Sequence, residues 1–136
     1  ICHVRTASLP SYADPVRPLV APVISPTING NSFFADQSGV GLNPVLSWTA
    51  PTTATGYRVS IWRLFDGGGS AAAEEIGVLH TTATSITVPP GVMTAGNAYF
   101  VVIQAHSEPG TDYSYSPYRH ALPHGLAATT SGIVTP

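Results

Sequence analysis

Residues 57–63 read Tyr-Arg-Val-Ser-Ile-Trp-Arg, and this alternation constrains the chain more than any other feature. In an extended backbone Tyr57, Val59, Ile61 and Arg63 share one side, and Arg58, Ser60 and Trp62 share the other. A period of two marks a strand with one buried face; a helix would scatter the same apolar residues around its axis. Tyr57, Val59 and Ile61 are therefore expected in a core. Pro44-Val45-Leu46-Ser47-Trp48 repeats the pattern, with Leu46 and Trp48 on the apolar side. Tyr99 to Ala105 is apolar on both faces, as a strand at a sheet centre should be.

The other segments are short and punctuated by 13 glycines and 13 prolines. Asn29-Gly30-Asn31 is a turn signal, followed by a short strand at Ser32-Phe33-Phe34-Ala35. Asp66-Gly67-Gly68-Gly69-Ser70 is a flexible turn. Ala71-Ala72-Ala73-Glu74-Glu75 reads as one helical turn, too short to stand alone. Further strands are expected at 76–80, at 85–88 before Pro89-Pro90-Gly91, and at 127–134. No longer helix is supported.

Pro10, Pro15, Pro18 and Pro22, with Pro26 just beyond, deny residues 1–25 a regular helix and remove ladder donors from any central strand. These residues are expected to form an extended, Pro-rich N-terminal arm. Its apolar stretch, carried by Leu19, Val20, Val23 and Ile24, either docks on the chain's own domain or adds to a neighbour's sheet edge. Residues 26–136 form the single domain.

Composition removes several functions. The net charge is -2 and only 9% of residues are charged, so electrostatic binding to nucleic acid or to an anionic membrane surface is not expected. All five basic residues are arginine, which excludes a P-loop lysine and a Schiff-base lysine. No apolar run approaches the roughly 20 residues that span a bilayer, so membrane insertion is not expected. Cys2 is the only cysteine, and no internal disulfide can form. The chain opens at Ile1, with no positive n-region and apolar h-region in residues 1–25, and is expected to be a processed product or a piece of a longer protein. Richness in Ser, Thr, Gly and Pro with few charges points to an extracellular, cell-surface or periplasmic setting.

Four stretches taken in order resemble a fibronectin type III domain. They are Pro44 to Trp48 with Ala50-Pro51, Gly56 to Ile61, Thr84 to Pro89, and Met93 to Ala105. The resemblance covers residues 22–136. It implies an all-β, antiparallel, immunoglobulin-like β-sandwich of about seven strands. It implies that Trp48 and Tyr57 are core residues and that Met93-x-x-Gly96-x-x-Tyr99 forms a tyrosine corner, with Met93 where the family has Leu. The expected core is Leu46, Trp48, Tyr57, Val59, Ile61, Ile86, Val88, Tyr99, Val101 and Ile103. The chain departs from the pattern in its long stretch before Trp48 and its long connection from His106 to Ala127. Arg-Gly-Asp is absent, so no integrin-type function is carried over.

Candidate sites follow from side-chain chemistry. Tyr113, Tyr115, Tyr118 and Arg119 crowd one connection, and Tyr and Arg are enriched in binding hot spots. His120 and His124 have the helical zinc spacing, but Pro123 between them opposes a helix. His106, Glu108 and Asp112 form a looser grouping, expected to be solvated loop residues, so no metal is expected. Asp66, Glu74 and Glu75 lack flanking catalytic motifs and are expected to be surface carboxylates. There is no G-x-S-x-G elbow, and nothing after Gly67-Gly68-Gly69 matches a phosphate loop. No catalytic residue is expected.

The resulting expectation is a non-catalytic extracellular interaction, spacer or assembly module of a secreted or surface protein. Its partners would be neighbouring domains or subunits of its own assembly, with polysaccharide as a further class. No cofactor is expected under this reading. Two alternatives stand beside it. Cys2-His3 is the second half of a C-x-x-C-H motif, which would make the chain the C-terminal accessory part of a multihaem c-type cytochrome carrying haem c. Exposed tyrosines would suit a carbohydrate-binding module.

Overall fold

The alternating segment at 57–63 lies within β5 (Gly56–Asp66), which pairs antiparallel with β6 (Ala71–Thr81) on one side and β8 (Ala98–Ser107) on the other. The structure is a computed structural model and describes residues 19–109 and 124–136. Its other strands are β1 (Ile24–Ile28), β2 (Asn31–Ser32), β3 (Gln37–Ser38), β4 (Val45–Thr49), β7 (Ser85–Thr87), β9 (Gly125–Thr130) and β10 (Val134–Thr135). The described residues contain no helix and are all-β. One sheet runs β2-β1-β4-β7; the other runs β3-β10-β8-β5-β6, with β9 also paired to β8. Every pairing is antiparallel except that of β3 with β10.

Inward residues of both sheets belong to one buried cluster. Leu46 and Trp48 enter it from β4, Tyr57, Val59 and Ile61 from β5, and Tyr99, Val101, Ile103 and Ala105 from β8. The rings of Trp48 and Tyr57 meet edge-on at 5.1 Å, directly linking the two sheets. Burial pushes the Tyr57 phenol above its ordinary value of 10.0. The fold therefore favours the neutral phenol, and Tyr57 contributes stability that is fully present below the unfolded value and lost as pH rises through the folded one. Tm measured across the alkaline range should fall more steeply above about pH 10 in the native protein than in Tyr57→Phe.

The bend before β8 is fixed by Tyr99. Its hydroxyl accepts from the Thr94 amide at 2.9 Å and lies 3.3 Å from the Thr94 carbonyl as a donor. Gly96 supplies the positive φ of 83° that the turn needs. Met93 is fully buried.

Four expectations are corrected. Ala71 to Glu75 is not a helical turn but the start of β6, paired residue by residue with Asp66 to Trp62. Pairing with β5 overrides the helical preference of alanine, and Arg63–Glu74 and Arg58–Glu75 ion pairs bridge the two strands. Phe33 lies beyond the end of β2 and is fully buried, whereas Phe34 is 62% exposed. Ile86 only packs against the core from its margin, while Ile28, Phe33, Met93 and Val134 join it. The last strand is interrupted: β9 ends at Thr130 and β10 begins at Val134, where it meets β3. These short pieces raise the described strand segments above the seven expected.

The apolar end of the arm docks on the chain's own sheets. Val23 is buried in the core, Val20 packs against it, and β1 starts at Ile24.

Candidate metal centre

On β8 the odd-numbered residues 99–105 face the core, so Phe100, Val102, Gln104 and His106 lie on the opposite face. There Phe100 stacks on Trp62 of β5, with ring centroids 5.9 Å apart and planes within 7°. Glu108 follows His106 by two residues. The antiparallel register of β8 and β9 pairs His106 with Leu126 and Ser107 with Gly125. One further step along it brings Glu108 opposite His124.

The side chains converge accordingly. His106 Nδ1 lies 3.1 Å from His124 Nε2 and 3.7 Å from Glu108 Oε1. His124 Nε2 lies 3.2 Å from Glu108 Oε1. The imidazole planes are within 14° of each other. Glu108 is 1% exposed and His106 6%; His124 is half-buried. The expectation of solvated loop residues therefore fails for His106 and Glu108.

Thr55, just before β5, fixes the backbone beneath the cluster. Its amide donates to the His106 carbonyl at 2.7 Å, and its hydroxyl donates to the same carbonyl at 3.2 Å. The Glu108 amide in turn donates to Thr55 Oγ1 at 3.0 Å. A buried carboxylate requires hydrogen bonds and positive charge nearby. Here two imidazoles supply either protons shared with the carboxylate or, when neutral, ring-nitrogen lone pairs able to bind an ion.

The sequence had grouped His106 and Glu108 with Asp112, and His124 with His120. Asp112 and His120 lie outside the described residues. The readable signal was His-x-Glu at a strand end followed by a His immediately before the next strand. It becomes a cluster only when the β8–β9 register is known.

Tyr113, Tyr115, Tyr118 and Arg119 lie outside the described residues, as do Cys2 and His3. Of the arm residues, Val20 and Val23 serve the domain's own core, leaving Leu19, 85% exposed, and Ile24 facing outward. Asp66 accepts from the amides of Gly68 and Gly69 and so shapes the β5–β6 turn, while Glu74 and Glu75 form the cross-strand ion pairs. No protein-family model matches the chain, and neither does any curated protein.

Proposed function

We propose that the chain is a fibronectin type III-like sandwich acting as a non-catalytic interaction or assembly module of a secreted or surface protein. The observation that carries this reading is the Tyr99 corner, with its hydroxyl bonded to the Thr94 backbone. The Trp48–Tyr57 contact and the division of strands between two sheets support it. Such a scaffold presents binding groups on its connections and at its chain ends while the core stays inert. Leu19 and Ile24 provide exposed apolar surface where the arm joins the domain. The residue chemistry of Tyr113, Tyr115, Tyr118 and Arg119 suits a second binding contact.

Sedimentation of the full chain over a range of concentrations tests the proposal. Self-association is expected, weakened in a Leu19→Asp/Ile24→Asp double variant whose Tm stays near the native value. Polysaccharide binding lost in Tyr115→Ala would instead assign the chain to carbohydrate recognition. Turnover of a hydrolase substrate by the purified chain would overturn the non-catalytic reading.

A further inference from the structure

We propose that His106, Glu108 and His124 bind a divalent transition metal of the zinc class, tying the end of β8 to the start of β9. This departs from the expectation of a metal-free module and rests on the geometry of the three donors.

Their separations of 3.1, 3.2 and 3.7 Å form a nearly regular triangle. Tetrahedral zinc with bonds of about 2.0–2.1 Å requires donor-to-donor edges of about 3.3–3.4 Å, which these distances bracket. A point about 0.6 Å above the triangle's plane lies about 2.05 Å from all three atoms, within the bonding range for imidazole nitrogen and carboxylate oxygen. The donor separations therefore match those around a bound ion.

The donor chemistry selects the ion. Calcium and magnesium favour all-oxygen shells, whereas two imidazoles with one carboxylate suit zinc and its neighbours in the transition series. Burial of Glu108 favours a charge-neutralising partner, and an ion held by two neutral imidazoles provides it without protonating either ring. The three ligands leave at least one position of a four-coordinate ion for water or a further donor.

The scaffold also holds the ligands in place. His106 and Glu108 share one side of an extended segment, Thr55 clamps its backbone from just before β5, and the β9 register delivers His124. A bound ion would bridge the two ends of the connection spanning residues 110–123. It would stabilise the folded state in proportion to its affinity, because an unfolded chain does not preassemble the three donors.

The test is calorimetric titration of the chelator-stripped full chain with Zn²⁺ alone, paired with thermal melts. One equivalent should bind and raise Tm. Glu108→Gln and His124→Gln, which nearly preserve shape or lie at the half-exposed ligand, should each weaken Zn²⁺ binding by roughly 100-fold or more, since even outer-shell partners are worth about 10–100-fold. Cys2→Ser and His3→Gln should leave that binding unchanged. Ca²⁺ and Mg²⁺ should not compete. Imidazole proton resonances of His106 and His124 in the unsubstituted chain should shift together with Zn²⁺, which provides a readout independent of whether the variants fold. Absence of Zn²⁺ binding, binding that survives both ligand substitutions, or histidine resonances that stay in place would overturn the proposal.

Discussion

Phe33→Ala is expected to destabilise the protein by about 3–5 kcal/mol, the range found when a large buried aromatic ring is deleted. Phe33 is wholly excluded from solvent and belongs to the common core of both sheets. Its carbonyl also accepts from the Gly132 amide at 3.0 Å, so the turn carrying it is fixed against the last strand. Neighbours held in this way cannot collapse fully into the space the ring leaves. Phe34→Ala provides the internal control: that ring is 62% exposed and meets Phe33 only edge-on at 5.9 Å, so its loss should cost far less. Chemical denaturation of the two variants side by side measures the difference. A loss for Phe33→Ala no larger than for Phe34→Ala would show that the ring is not packed as described.

Gly132→Ala is the second large effect, and its cause is the opposite one. A Cβ at residue 132 would lie 2.6 Å from the Ala35 carbonyl carbon, 2.7 Å from its oxygen and 2.9 Å from the Asp36 nitrogen. These are backbone atoms, which cannot swing aside as a side chain can. The approach is held by the Gly132–Phe33 hydrogen bond, and the Ile133 amide donates to Asp36 Oδ1 at 2.8 Å. The added methyl must therefore push the β2–β3 connection away from the break between β9 and β10. The expected cost is about 3 kcal/mol, at the upper end for overpacking. It should be accompanied by faster amide exchange at Gln37 and Val40, which donate to the carbonyls of Ile133 and Thr135. Full stability and unchanged exchange in Gly132→Ala would mean that these segments do not meet.

These two residues mark where the sequence was readable and where it was not. Tyr57, Val59 and Ile61 were legible because alternation assigns each side chain to a face without reference to any other segment. Leu46 and Trp48 were legible for the same reason, and Tyr99 through its spacing from Gly96. Phe33 and Phe34 are adjacent, equally apolar and beside a turn, so periodicity could not decide which ring is buried. Ala71 to Glu75 misled because intrinsic propensity was the only local signal, and pairing with β5 outweighs it. Gly132 looked like an ordinary strand glycine; its role depends on a contact with Ala35, which is remote in sequence.

The metal centre was obscured for a related reason. His106, Glu108 and His124 were all noticed as chemically capable residues, but each was grouped with its nearest sequence neighbours. Their assembly depends on the register between β8 and β9, which composition and spacing do not encode.

Two separate sheets enclose one core, with Trp48 from the first meeting Tyr57 from the second. Proton–proton Overhauser contacts between these assigned rings in the full-length chain test this arrangement most directly. The expected result is a set of strong cross-peaks from the Trp48 indole to the Tyr57 ring, together with cross-strand contacts linking β5 to β8. Cross-peaks confined to sequence neighbours, with no contact between the two rings, would contradict it.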